Sequence, residues 1–288
     1  MTVIRTSREL RSLLDAHRAS GGTVGLIGTS GGLHEGHLSL IRFSRRAGHF
    51  TVLWLFNGKV PIATGITPGD ARNYAADQIV GTMAGASVIF MPPNESLFPS
   101  GAPLVRVEVD RSVAEPWPES GSGVFVTMVA TMMAKAVSIV GPCLLFCGEK
   151  DWQNAAVLRR MVSDLSLSAE IVICPSVREP DGLVLGSRNS KLTNGERRLA
   201  PQIKKALDAA SALVEQGERT SSHVEEAVRR RLAGVGNLDY VKVVDPHTLE
   251  PLVHLEGDIR ILVSVSFSQT SLVDSVGLNV SATETASP

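Results

Sequence analysis

Six short runs rich in β-branched and aliphatic residues, Thr23–Gly28, Thr51–Phe56, Ser87–Met91, Leu104–Val109, Cys143–Cys147 and Ala169–Cys174, alternate with longer stretches of helical periodicity near 6–19, 36–47, 70–84, 123–140 and 151–165. Alternation of this kind predicts parallel strands joined by crossover helices, with apolar side chains on both faces of the sheet. The fold class expected is therefore α/β, a doubly wound parallel sheet. Ligands of such sheets bind beyond the carboxyl ends of the strands, so the segments after Gly28, Phe56 and Cys147 are the first places to look for chemistry. Beyond about residue 176 the pattern changes to two helical stretches, roughly 194–217 and 219–234, followed by the strand-like runs Tyr240–Asp245 and Arg260–Ser266. The expected division is a larger domain over 1–176 and a smaller α+β C-terminal domain over 177–288.

Charge and composition narrow the partners. Twenty-eight Lys and Arg against 29 Asp and Glu give a formal charge of −1, which lacks the basic excess of a dedicated nucleic-acid binder. Aromatic residues are 5% of the chain, too few for a base-stacking platform or an aromatic membrane belt. The apolar run 124–140 approaches membrane-spanning length but contains Lys135 and stops at Gly141-Pro142, so it reads as a buried helix. Three cysteines, at 143, 147 and 174, and a charged N-terminus without an apolar leader point to a reducing, cytoplasmic setting. On a strand Cys143 and Cys147 would share a face about 13 Å apart, too far for a disulfide, and read as core thiols.

Three segments carry candidate chemistry. Gly31-Gly-Leu-His34-Glu-Gly36-His37 follows a strand and opens a helix, which places two imidazoles where helix N–H groups favour an anion. A glycine there lets backbone approach a phosphate oxygen, and the imidazoles can donate to charge building on it. Two histidines alone supply too few ligands for a metal site, so none is assigned. Cys147-Gly148-Glu149-Lys150-Asp151 again sits where a strand gives way to a helix; the lysine can neutralise a phosphate and the aspartate can accept from a ribose hydroxyl. Arg178-Glu-Pro-Asp-Gly182 leading into Ser187-Arg188-Asn189 is a polar, glycine-containing loop that could close over a triphosphate. A capped helix start and a plain linker are the structural readings of the last two.

In this order and spacing, His34-Glu-Gly-His37, Gly148-Glu-Lys-Asp151, Arg160-Met-Val-Ser-Asp164 and Val177-Arg-Glu-Pro-Asp-Gly182 with Ser187-Arg-Asn189 resemble the pantothenate synthetase family, and the resemblance covers nearly the whole chain. That family belongs to the HIGH-motif nucleotidyltransferase superfamily with its Rossmann-like fold. The resemblance implies an AMP-forming ligase: a small carboxylic acid, pantoate in the family, attacks the α-phosphate of ATP, and a small amine, β-alanine, then displaces AMP from the acyl adenylate. It also implies that His34 and His37 contact the phosphates beside Gly31 and Gly36, and that Lys150, Ser187 and Arg188 bind the β- and γ-phosphates. Gly148 and Asp151 would hold the ribose, and Val177 would offer backbone to adenine. Mg²⁺ would accompany the triphosphate, the C-terminal domain would serve as a lid, and the chain would form a homodimer through its N-terminal domain. No nucleic-acid or membrane partner is implied.

The acid side departs from the family pattern. Its Pro-Thr-Met-Gly is here Gly28-Thr29-Ser30-Gly31, which puts Ser30 in place of the methionine beside the acid. The segment carrying a pantoate-binding glutamine reads Phe56-Asn57-Gly-Lys59-Val60, with Val60 at the glutamine position, and the second such glutamine falls on Asn154. Its Tyr-Pro-Arg survives only as Tyr74-Ala-Ala, and the family's Arg-Pro-x-His entry to the long helix is missing before Met128. Losing a hydrogen-bonding amide from a pocket that reads substrate hydroxyls forfeits discrimination, so the acid, the amine or both are expected to differ from the family pair. Two alternatives are an authentic pantothenate synthetase in which Ser30, Asn57 or Lys59 takes over these contacts, and a nucleotidyltransferase passing AMP to a phosphate ester. A nucleotide binder without catalysis would not be expected to keep the five phosphate-handling side chains.

Overall fold

The computed structural model describes residues 2–56, 73–110 and 123–281. These fall into two compact units: one runs up to Glu149 and takes in Val157–Val177, and the other comprises Lys150–Ala156 and the residues from Arg178 onward.

The first unit is a six-stranded sheet whose neighbours are all parallel. Its strands are β1 (Val3–Ile4), β2 (Val24–Thr29), β3 (Phe50–Leu55), β4 (Val88–Phe90), β5 (Cys143–Gly148) and β6 (Ala169–Cys174), in the order β1-β4-β3-β2-β5-β6. Successive residues of β2 and β3 enter opposite cores. Leu26, Val52 and Trp54 pack with α1 (Ser7–Ala19), whereas Ile27, Leu53 and Leu55 pack with α2 (Glu35–Arg46) and α3 (Tyr74–Ala84). The side-chain period of two thus demands a helical layer on each face, the doubly wound arrangement expected. Further along the chain come α4 (Asn94–Leu97), α5 (Gly123–Val140) and α6 (Trp152–Asp164); α5 and α6 join the α1 layer through Ala130, Val137, Val157 and Met161. Among the described residues no helix is long and apolar enough to cross a membrane, and α5 is a core helix.

Strand order reverses at β2. From there the chain moves outward through β3 and β4, then returns to place β5 on the other side, in register Gly25↔Leu144 and Leu26↔Leu145. The carboxyl ends of β2 and β5 are therefore neighbours, which is the switch point where ligands of such sheets collect.

The expected strand over Leu104–Val109 does not form. Leu104 and Val105 are each 85% exposed, and the Val107 amide donates to Thr131 Oγ1 on α5 at 3.0 Å instead of pairing with a strand. Alternating apolar residues there imitate a half-buried strand, while the edge beside β4 is taken by the two-residue β1.

The second unit carries an antiparallel sheet, β7 (Asn237–Val244), β8 (Gly257–Ser266) and β9 (Ser271–Val280), in that order. It packs under α8 (Gln202–Glu215) and α9 (Ser221–Leu232) around Ile203, Leu207, Val224, Val241, Ile261 and Val263. The single helix expected near 194–217 is two, α7 (Asn194–Leu199) and α8, because Pro201 has no N–H to continue the ladder. Arg229, Arg230 and Arg231 lie on the solvated face of α9 as expected.

Candidate active site

In the first unit, both histidines stand where β2 ends. His34 is the N-cap of α2, with extended backbone (φ −129°, ψ 172°), and its Nδ1 accepts from the Gly36 amide at 3.1 Å. A neutral ring that accepts at Nδ1 carries its proton on Nε2, which makes that other edge of His34 its donor edge. His37 lies one turn on; its Nε2 is hydrogen-bonded to Thr29 Oγ1 at 3.2 Å, and the two ring centroids are 4.2 Å apart with a 45° tilt. Both rings are half-buried, which lets them meet a ligand while their inner edges stay fixed. The Gly36 amide, one of the helix-start donors expected to face a phosphate, is engaged by the imidazole of His34 instead.

Gly148 ends β5 at the neighbouring position. A Cβ there would meet no described atom within 4 Å, and its backbone is not in the left-handed region. Neither packing nor backbone conformation calls for glycine here.

In the second unit the structure brings together Lys150, Asp151, Asn154 and the 186–191 segment. Glu149–Asp151 form one 3₁₀ turn before α6, and Lys150 Nζ is 3.9 Å from Asp151 Oδ2. A Cβ on Gly186 would lie 2.9 Å from Lys150 Nζ, so the ammonium rests against the start of the 3₁₀ turn Ser187–Lys191. Ser187 and Arg188 are exposed, with Arg188 Nη1 donating to the Ser271 carbonyl at 3.2 Å. A small cleft of about 40 Å³ lies among Lys150, Asp151, Gln153, Asn154, Tyr240 and Asp274.

The 178–191 loop is braced more heavily than a plain linker. Arg178 forms a bidentate pair with Asp274 at 2.5 and 2.9 Å, and Asp274 is 2% exposed. Arg197 donates to Glu179 and Asp181, each at 2.6 Å, and Asn189 Nδ2 donates to Glu179 Oε1 and the Val184 carbonyl. The Asp181 carboxyl is held below the usual range, chiefly by its bond from Arg197.

Several site-building residues went unread in the sequence. Thr29 and the buried Asp77 shape the histidine loop: Asp77 accepts from the Gly32 and Leu33 amides at 2.9 and 2.8 Å. The signal available was an acid on the small-residue stripe Asp77, Gly81, Ala84, the buried face of α3. Trp152 anchors the start of α6 by donating to the Pro246 carbonyl at 2.8 Å, with the Arg260 guanidinium 3.7 Å above its ring. Gln153 presents a buried Nε2 with no hydrogen-bond partner among the described residues, an arrangement that favours a polar guest.

Of the remaining candidates, Ser30 is exposed just past β2 and Val177 is half-buried at the end of the first unit. Asn57 and Val60 lie outside the described residues. Burial pushes the Cys143 and Cys174 thiols up to about 12 and about 11, so both are packing groups. No cluster of three or more His, Cys, Asp or Glu able to hold a metal occurs among the described residues.

Similarity to known proteins runs the length of both units. Residues 2–277 match the family model described as pantoate-beta-alanine ligase. The chain is 43% identical, over 96% of itself and 84% of the other protein, to pantothenate synthetase 2 of Frankia alni. It is 35% identical to the pantothenate synthetase of Moorella thermoacetica, over 97% of itself and 99% of that protein. The crystal structure of pantothenate synthetase from Thermus thermophilus superposes with a TM-score of 0.85 at 34% identity, covering 98% of this chain and 100% of that one. With the paired imidazoles and the Gly-Glu-Lys-Asp turn at the strand ends where its sequence placed them, the chain belongs to the pantoate–β-alanine ligase family.

Proposed function

We propose that the protein joins a small carboxylic acid to a small amine at the expense of ATP, through an acyl adenylate. In the first step a carboxylate oxygen attacks the α-phosphorus and pyrophosphate leaves. In the second the amine nitrogen attacks the acyl carbon, AMP leaves, and the nitrogen sheds a proton. The observation that carries this reading is the fixed imidazole pair, 4.2 Å apart at the carboxyl end of β2. Donors already oriented toward a phosphate stabilise charge as it develops without reorganising.

His34 and His37 act on the α-phosphate; Gly31 and Gly36 keep the approach clear. Lys150, Ser187 and Arg188 neutralise the leaving pyrophosphate, Gly148 and Asp151 receive the ribose, and Val177 the adenine. Mg²⁺ carried with the triphosphate would supply charge neutralisation beside Lys150 and Arg188. On the acid side, Val60 and Asn154 stand in the sequence where the family has its pantoate-binding glutamines and Ser30 where it has a methionine, with Asn57 near Val60; these replacements favour an acid other than pantoate. A second reading, an authentic pantoate–β-alanine ligase, is favoured by 43% identity to a protein named pantothenate synthetase. We further propose a cytoplasmic homodimer.

Acid-dependent exchange of labelled pyrophosphate into ATP, run across small hydroxy and amino acids, separates the readings. A non-pantoate acid giving the highest kcat/KM supports the altered pocket; pantoate doing so supports the second reading. No exchange with any acid overturns the ligase. His34→Ala and Lys150→Ala are each expected to slow exchange by about 10²-fold or more, the usual worth of one preorganised donor. Near-normal rates in both would reject the assigned roles.

A further inference from the structure

Three successive backbone N–H groups lead into His34, and each is gripped by a side chain. Gly31 donates to Thr29 Oγ1 at 3.2 Å, Gly32 to Asp77 Oδ2 at 2.9 Å, and Leu33 to Asp77 Oδ1 at 2.8 Å. Gly31 and Gly32 have φ of 93° and 68°, the left-handed region that lets consecutive amides converge on one anion. In many nucleotide-binding proteins such a concavity receives a phosphate. Here the anion it wraps is a carboxylate from this chain's own α3, so the loop's amides are committed to holding shape and the imidazoles are left to meet the ligand.

We propose that Asp77 is a positioning residue, and that its carboxylate, with Thr29, sets the angle at which His34 and His37 are presented. The proposal rests on the ligase reading above. Asp77 is 5% exposed, and a buried carboxylate is tolerable because two short charge-assisted bonds satisfy it. Its own position is fixed by Gly81, one turn further along α3: a Cβ there would come within 2.5 Å of Leu53 Cδ2, so glycine lets α3 lie close on β3. The line of constraint runs from sheet to α3, to Asp77, to the Gly32 and Leu33 amides, and so to the N-cap His34. Thr29 Oγ1 holds the other end, since it bonds both the Gly31 amide and His37 Nε2.

The test is Asp77→Asn, which keeps the volume but turns one acceptor into an NH₂ group facing a backbone N–H. Pyrophosphate exchange by this variant is expected to lose about 10- to 100-fold in kcat, the scale of a small misplacement of catalytic groups. KM for ATP should stay within about 3-fold, because binding energy common to ground and transition states is untouched. Amide hydrogen exchange at Gly32 and Leu33 should accelerate by about 10-fold or more while β2 keeps its protection. Thr29→Val should show the same kcat-against-KM split and Thr29→Ser should restore the parent rate, which decides the matter if Asp77→Asn does not fold. Parent-like kcat in the folded variants, or protection lost evenly through the first unit, would overturn the proposal. If the parent enzyme itself exchanges no pyrophosphate, the ligase reading falls, and hydrogen exchange alone decides the clamp: selective acceleration supports it and unchanged protection overturns it.

Discussion

The histidine loop and the 178–191 loop are held in opposite ways. The first is gripped through its backbone, by Thr29 and Asp77, over three consecutive amides. The second is gripped through its side chains, by Arg178 on Asp274, Arg197 on Glu179 and Asp181, and Asn189 on the loop's own carbonyl. Backbone capture tolerates any side chain that leaves the glycine conformations intact, and it aims the adjoining helix start with little play. Side-chain capture depends on particular charged residues, and most of those here are partly exposed and weakened by water and salt. The exception is Arg178 with Asp274, whose carboxylate is 1% exposed and also accepts from the Ser275 amide at 2.8 Å.

That exception makes the largest expected effect. Arg178→Met strands a buried carboxylate and should destabilise the second unit by about 3–5 kcal/mol, read as a fall in the urea midpoint. The double replacement Arg178→Met with Asp274→Leu should recover most of the loss, because an apolar pair leaves no buried charge unpaired. A single variant costing under about 1 kcal/mol, the usual worth of an exposed pair, would erase the distinction between this contact and the surface pairs around it.

A smaller effect sharpens the same contrast. Gly186 has extended backbone (φ −162°), so alanine there is not strained, yet its Cβ would stand 2.9 Å from Lys150 Nζ. A flexible lysine can move aside, so stability should change by no more than about 0.5 kcal/mol. KM for ATP, however, should rise about 3- to 10-fold as the ammonium leaves its place, a loss of uniform binding. Unchanged KM would mean that the ammonium's position beside Gly186 is not the one used with nucleotide.

Much of this was legible in the chain. The strands β2, β3, β5 and β6 and the two glycine-rich strand ends follow from local pattern, because the period of a strand and the start of a helix are written within a dozen residues. Asp77 was not, since its partners Gly32 and Leu33 are 45 and 44 positions away. The same holds for Trp152 with Pro246 and Arg178 with Asp274, separated by 94 and 96 positions. Leu104–Val109 shows the converse error: a strand needs a neighbouring strand, and periodicity alone does not say whether one is there. Glycine at 148 was read from the family resemblance at a strand's end, and the open space beside its Cα, which excludes a packing need, is visible only in three dimensions.

The smallest expected effect concerns a joint of the second unit that is electrostatic and lies at the surface. Glu196 closes the capping box of α7, accepting from the Thr193 amide at 2.8 Å, and also accepts from the Ser268 amide at 2.7 Å in the turn between β8 and β9. These bonds, that from Ser268 first, hold its carboxyl down to about 2. A carboxyl depressed in the folded state contributes stability that is complete above its unfolded value of about 4.3 and disappears as pH falls from there toward about 2. The urea midpoint of the parent should therefore fall across that window, and Glu196→Gln, which cannot ionise, should fall less steeply over the same range. Equal slopes would remove Glu196 from the joint and leave Arg178 with Asp274 as the contact on which side-chain capture in this unit depends.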